Sequence, residues 1–150
     1  MTKFGMSILT LGLAKDIERQ NHKEMAITSI WPAVAIASAA TELNPQIQSA
    51  GMNSATEDGR RDLRKPSIYS DAILAMLRAP AEKVNGLLDS DEDFLRRECG
   101  YTDKDFEKYN FVAGYTPRRI MPRVFPDLTV EEQDDEGVRV DSVKLRGGRL

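Results

Sequence analysis

The sequence predicts an α/β fold, and three observations along the chain support this class. An apolar helix is followed by a short β-branched run that a proline ends, as at the end of a buried strand. A second helix opens at a proline. An Asn-Gly turn signal and another short apolar run come after it. Because a helix followed by such a strand is half of a β-α-β unit, the sequence indicates part of a layered α/β domain.

The first part of the chain is expected to hold one long helix and one strand. We predict the helix over residues 2–20, and its apolar residues are too broadly spread for a narrow stripe. It should therefore be covered on most of its circumference, with Asn21 and His22 marking its end. We predict the strand over residues 26–31, because this run is short, β-branched and followed by Pro32.

A helix and a strand are predicted again further along. The helix covers residues 66–78 and has a proline in its first turn. Its predicted apolar face consists of Ile68, Ala72, Ile73, Ala75, Met76 and Leu77. The strand covers residues 86–89 and runs into an acidic helix start, where Asp91 or Asp93 is the expected cap. The connection over residues 41–65 is long, so we expect it to be mobile or only loosely helical.

The C-terminal residues differ in composition from the rest. Residues 115–150 contain three prolines, an acidic run and a final glycine pair. We expect a 1–114 domain followed by a 115–150 tail that is largely disordered. Val138, Val140 and Val143 hint at a strand within it, although their alternation breaks.

Composition excludes several classes of function. The chain has 150 residues, 41% of them hydrophobic and 30% charged, with a net charge of -3. An acidic balance argues against a nucleic-acid partner, and no apolar run approaches a membrane span. One cysteine, Cys99, and one histidine, His22, leave no internal disulfide and too few ligands for a zinc site. We expect an intracellular, cytoplasmic protein, with peroxisomes and mitochondria as alternatives.

Four segments, in the right order, resemble the C-terminal part of short-chain dehydrogenases/reductases. MTKFGMS at residues 1–7, with LAKDI at 13–17, resembles the active-site helix of that family. IWP at 30–32, followed by AIASAA at 35–40, resembles the strand and loop that close over the nicotinamide. KP at 65–66, NG at 85–86 and LDSDEDFL at 88–95 resemble the last helix and strand. The likeness runs to about Phe111 and is strongest to the hydroxysteroid dehydrogenase-like subgroup.

The resemblance implies a fold and an activity. The fold would be the C-terminal part of a doubly wound, Rossmann-like domain, with the two predicted strands adjacent and parallel. The activity would be hydride transfer between NAD or NADP and a small carbonyl or alcohol substrate. Cofactor choice depends on a strand end that this chain does not include.

The resemblance also implies site residues. Lys3 matches the lysine that lowers the pKa of a catalytic tyrosine and holds the ribose hydroxyls. Pro32, Ile36 and Ser38 match the nicotinamide-side loop, although Ala33 stands where many members have glycine. For Ile36 and Ser38, an ordinary helix start is an alternative. The tyrosine, the serine and the Gly-rich turn of the family would precede Met1, so we expect a truncated chain that is inactive alone.

Three questions stay open from the sequence. The chain is either part of an oxidoreductase or a non-catalytic interaction remnant that pairs through its first helix as a homo-oligomer. The acidic run over residues 89–93 is either a hard-cation site or, as we prefer, a solvated acidic cap, so no metal site is predicted. Trp31 either lines a substrate pocket or belongs to the core.

Overall fold

The computed structural model describes residues 2–49, 51–126 and 128. Its longer elements are helix α1, Thr2–Arg19, strand β1, Ser29–Trp31, helix α5, Ser67–Arg78, strand β2, Leu88–Ser90, and helix α7, Asp91–Cys99. Short helices occupy the connections: α2, Ala39–Leu43, α3, Pro45–Ser49, α4, Glu57–Arg60, α6, Ala81–Val84, and α8, Asp103–Phe106. A 3-10 turn over Glu107–Tyr109 follows α8 directly.

The two strands form a parallel pair, as predicted. Ser29 aligns with Leu88 and Trp31 with Ser90. Both strands are shorter than predicted, because the N–H of Ile27 donates to the side chain of Asn85, 3.2 Å away, instead of joining the ladder. The chain is thus helix-rich around a small parallel sheet, and the doubly wound class stays a prediction because two strands do not define a strand order.

Helix α5 packs across α7, and both helices contribute side chains to the core. It begins beside Pro66 and ends at Arg78, as predicted. Two buried apolar clusters join it to the later helices: Ile68, Ala72, Leu95, Phe106 and Tyr109 in one, and Met76, Val84 and Phe94 in the other. Ile30 of β1 packs against both clusters, which fixes the sheet on this core. Ile73 and Leu77, expected on the apolar face, are instead exposed.

The prediction that α1 is covered on most sides is wrong within the described residues. The buried side chains of α1 are small: Ser7, Thr10 and Ala14. They form one face, which contacts β1 and Gly86, and a Cβ at Gly86 would lie 3.2 Å from the Ala14 Cβ. Five large apolar side chains lie exposed on other sides of the helix: Phe4, Met6, Ile8, Leu9 and Leu13.

The long connection and the C-terminal segment both contact the core. Residues 41–65 contain helices of four or five residues, in keeping with a loosely helical segment, while its mobility stays a prediction. Arg119 forms an antiparallel bridge with Val34, and the N–H groups of Ile120 and Met121 donate to the carbonyl of Ala33. The division at residue 114 stays a prediction. The hinted strand at residues 138–143 lies outside the described residues.

Candidate functional site

A cavity of about 590 Å³ lies between α1, β1 and the segment at residues 120–121. Its volume is typical of small-ligand pockets, which span roughly 300–1,000 Å³. It is lined by Lys3, Met6, Ser7, Thr28, Ser29, Ile30, Trp31, Pro32, Tyr69, Ile120 and Met121. The lining combines one lysine and several hydroxyls with apolar side chains, so the cavity suits a ligand that has both polar and apolar parts.

Two of the four expected site residues come together in this cavity. Lys3 lies in the first turn of α1, and Pro32 directly follows β1. The contact between α1 and β1 therefore places a cation beside the end of a parallel strand, where α/β folds bind ligands. Trp31 also lines the cavity, which favours the pocket alternative for this residue.

Ile36 and Ser38 lie outside the cavity lining. Ile36 packs at the edge of the core and forms an isolated parallel β-bridge with Arg64. In this bridge the Ala37 N–H donates to the Arg64 carbonyl, and the Arg64 N–H donates to the Ala35 carbonyl. Ser38 is the N-cap of α2, and its N–H donates to the Thr41 hydroxyl over 2.9 Å. The helix-start alternative thus describes Ser38 in this structure, and a cofactor role for either residue stays a prediction.

A buried hydroxyl in the cavity was missed from the sequence. Ser7 Oγ is buried and has no hydrogen-bond partner among the residues that the structure describes. One turn later, Thr10 Oγ1 pairs with Ser29 Oγ at 2.7 Å, so the neighbouring hydroxyls of this face are satisfied. Since buried polar groups are normally paired, Ser7 marks a position where a ligand oxygen or nitrogen would be stabilised.

Tyr69 is the cavity's tyrosine, but its environment opposes acid–base work. Its hydroxyl donates to the Ile30 carbonyl over 2.9 Å. Burial, and then the charge of Asp91, raise the pKa of Tyr69 above its ordinary value. A side chain that exchanges protons near neutral pH needs a pKa closer to that range, so Tyr69 is poorly suited to acid–base work.

The prediction of a solvated acidic cap over residues 89–93 is wrong. The cap of α7 is Ser90, whose Oγ accepts from the Asp93 N–H over 3.1 Å. Three carboxylates of the run pair with arginines: Asp89 with Arg97, Glu92 with Arg64 and Asp93 with Arg119. Asp89, Asp91 and Glu92 are buried, because helix α7 starts directly behind a sheet strand that core helices cover.

Asp91 holds the start of the loop that follows β1. Its Oδ1 accepts the N–H of Ala33 over 2.8 Å and that of Glu92 over 2.8 Å. Burial raises the pKa of the Asp91 carboxyl to about 6. Asp91 thus fixes the residue that follows Pro32, and through it one edge of the cavity.

Metal binding and membrane insertion find no support in the described part of the chain. No group of three or more histidine, cysteine, aspartate or glutamate side chains there could hold a metal ion. None of the described helices is long and apolar enough to cross a membrane.

Comparison with known proteins agrees with a dehydrogenase relationship. No family model matches the sequence. Hydroxysteroid dehydrogenase-like protein 2 of Xenopus tropicalis, and the same protein of Xenopus laevis, are each 28% identical over 131 residues. That match covers 87% of this chain and 26% of each relative. The chain is related to part of a dehydrogenase-like protein.

One solved structure extends this likeness to the fold. A "putative dehydrogenase" from Xanthomonas campestris superposes with a TM-score of 0.55 and 28% identity. The superposition covers 85% of this chain and 38% of that chain. The resemblance to hydroxysteroid dehydrogenase-like proteins is therefore confirmed. The matched 131 residues exceed the 114 of the predicted domain, so the likeness continues into the predicted tail.

Proposed function

We propose that this chain forms the nicotinamide side of an NAD(P)-dependent short-chain dehydrogenase/reductase site and has no turnover by itself. The observation that carries the proposal is the placement of Lys3, Pro32 and the Ser7 hydroxyl around one cavity, the hydroxyl having no partner within the described part of the chain. The relationship to dehydrogenase-like proteins supports it. The chain spans about a quarter of its curated relatives, so substrate and activity of the whole protein are part of the proposal.

The residues present fit the nicotinamide end of such a cofactor. The Lys3 ammonium would donate to the ribose hydroxyls, and Pro32 would border the ring. Ser7 Oγ, buried and without a partner among the described residues, would pair with a polar atom of the bound group. When bound, the nicotinamide supplies or accepts the hydride. The protein's own part is to position the ring and to exclude water.

Among the residues that the structure describes, the cavity offers no group suited to the proton transfer of such an enzyme. Tyr69 lines it, and burial moves the pKa of this tyrosine in the wrong direction. A positioned general acid is worth roughly 10²–10⁴ in rate. Positioning of the reactants contributes even more, about 7–11 kcal/mol at best. We therefore expect weak cofactor binding and no carbonyl reduction.

Titration of the chain tests this proposal. NMR spectra of the ¹⁵N-labelled chain should shift at the Trp31 indole and the Ala33 amide when nicotinamide mononucleotide is added. Lys3→Ala should weaken that binding, whereas Lys23→Ala, an exposed lysine away from the cavity, should not. NAD and NADP should show no tight binding, and carbonyl-reduction assays no turnover. Micromolar affinity, or turnover that Lys3→Ala abolishes, would show that the chain is an enzyme alone.

A second candidate function is association through α1. The observation that favours it is the set of five large apolar side chains left exposed on this helix, among them Leu9 at 59% and Met6 at 56%. Met6, Leu9 and Leu13 are spaced by three and four residues and so share one face of α1, and exposed apolar patches commonly mark interfaces. In this alternative the chain is a non-catalytic module that forms a homo-oligomer through α1. Sedimentation velocity at increasing concentration distinguishes a monomer from such an assembly.

A further inference from the structure

The segment at residues 119–121 forms backbone hydrogen bonds to the rest of the structure, although its composition predicts a largely disordered tail. Ile120 N–H donates to the Ala33 carbonyl over 2.8 Å, and Met121 N–H donates to the same carbonyl over 3.2 Å. Just upstream, the Arg118 N–H donates to the Asp62 carboxylate over 3.0 Å. The segment therefore lies against the loop that follows Pro32, with its position set by backbone bonds.

Arg119 joins this segment to the start of α7. Its guanidinium donates to both carboxylate oxygens of Asp93, and also to the Met121 carbonyl over 2.7 Å and the Pro122 carbonyl over 3.2 Å. The Arg119 and Asp93 side chains are 18% and 24% exposed, so solvent screens the pair only in part. Although burial acts against it, hydrogen bonds from Arg119 and Ser90 lower the pKa of Asp93. Arg119 and Asp93 thus form a charged, bidentate ion pair at neutral pH.

The two residues after Arg119 face the cavity. Ile120 and Met121 line it together with Lys3 and Ser7. Backbone bonds to Ala33 and the contacts of Arg119 fix these two apolar side chains at the cavity. The cavity therefore combines apolar surface with a cation and with the Ser7 hydroxyl, which has no partner among the described residues, and this lining suits a largely apolar ligand that carries an oxygen acceptor.

We propose that Ile120 and Met121 form the ligand-selecting wall of this cavity, and that the Arg119–Asp93 ion pair is the contact that positions it. The ligand class is a compact, largely apolar compound with an oxygen acceptor for Lys3 and Ser7, and a simple aromatic ketone serves as the probe. This inference rests on the proposed function, because both require that the same cavity binds a ligand. It does not require that the ligand is a nicotinamide. Arg119 acts as a positioning residue, and the wall residues touch the ligand.

The first arm of the test needs no ligand. Amide hydrogen exchange at Ile120 and Met121 should become at least about tenfold faster in Arg119→Ala, equivalent to about 1.4 kcal/mol of local opening. Arg118→Ala is the matched control, because it removes a neighbouring exposed arginine side chain and keeps the backbone bond to Asp62. Asp93→Asn removes the other partner of the ion pair and should speed amide exchange at Ile120 and Met121 in the same way. Exchange in Arg119→Ala equal to that in Arg118→Ala would overturn the positioning role.

The second arm uses acetophenone as the probe, followed by methyl and amide NMR. We expect shifts at Ile120 and Met121, and an affinity at least about fivefold weaker in Arg119→Ala, which corresponds to roughly 1 kcal/mol. Ile120→Ala should weaken binding while leaving the exchange of the Met121 amide unchanged, which separates the wall from its positioning contact. Shifts confined to α1, or no shifts in the cavity, would overturn the inference.

The two proposals fail in different ways. If nicotinamide mononucleotide leaves the Trp31 and Ala33 signals unchanged while acetophenone shifts Ile120, the cofactor proposal fails and the wall stands. If the mononucleotide shifts Trp31 and Ala33 but acetophenone never reaches Ile120 or Met121, the wall fails and the cofactor proposal stands.

Discussion

Asp91→Asn should stabilise the chain at neutral pH, in a pH-dependent way. The Asp91 side chain is 1% exposed, and burial raises the pKa of its carboxyl from 3.8 to about 6. This difference corresponds to about 3 kcal/mol. Because the folded chain binds the proton more tightly than the unfolded chain, the stabilising contribution is complete below about pH 4. It is lost as the pH rises to about 6 and beyond.

The asparagine removes this pH dependence and keeps the hydrogen bonds. Its amide oxygen can accept the Ala33 and Glu92 N–H groups that Asp91 Oδ1 accepts now. Urea unfolding, followed by the fluorescence of Trp31, should show the variant more stable by up to about 3 kcal/mol at pH 7.5, with the difference vanishing toward pH 4. Parent and variant share every other titrating group, so those contributions cancel.

The matched control is Asp91→Ala, which removes the charge and the acceptor together. It leaves the Ala33 N–H, on a fully buried residue, without its partner, and should be about 1–3 kcal/mol less stable than Asp91→Asn. A stability difference between the parent and Asp91→Asn that does not change with pH would refute the assignment of a raised pKa. So would an asparagine variant that is less stable than the parent at pH 7.5.

Four further substitutions test the packing and the exposed face of α1. Arg64→Leu leaves the buried carboxylate of Glu92 unpaired, so urea unfolding should show a loss of about 3–5 kcal/mol, and an effect below 1 kcal/mol would contradict the buried pair. Gly59→Ala should lower the thermal midpoint because its Cβ would meet neighbouring backbone, whereas Gly12→Ala, in open space within α1, should gain about 0.5–1 kcal/mol. Leu9→Glu should shift sedimentation toward monomer if α1 self-associates, and an unchanged assembly would exclude this face.

The order of elements could be predicted because each boundary has a local cause. Pro32 ends β1 and Pro66 stands at the start of α5, and both effects follow from the missing N–H of proline. Helix α1 ends where Asn21 adopts a left-handed backbone, with φ at 58°. The parallel pairing was expected from the resemblance, and the structure confirms it.

The acidic run could not be predicted because its partners are distant in sequence. Arg64 lies 28 residues before Glu92, and Arg119 lies 26 residues after Asp93. A run of carboxylates is typical of a solvated helix start unless tertiary structure brings cations to it. Burial of this run is therefore a property of the fold rather than of the segment.

Only part of the candidate site could be predicted, because some of its residues come together only through contacts between distant parts of the sequence. Lys3 and Pro32 follow from the resemblance, since each belongs to a recognisable local motif. Ser7, Ile120 and Met121 carry no motif of their own, and they reach the cavity only through the packing of α1 on β1 and of the C-terminal segment on Ala33.

The contacts around Ala33 separate the geometry of the site from its chemistry. Asp91 accepts the Ala33 N–H, and Ile120 and Met121 donate to the Ala33 carbonyl, so both polar backbone groups of this residue are held. Arg64, itself anchored by Glu92, holds the loop two residues further on by bonds to Ala35 and Ala37. None of these contacts involves Tyr69, the tyrosine of the cavity. The cavity should therefore be ordered whether or not the chain has turnover, and binding measurements can test its specificity independently of catalysis.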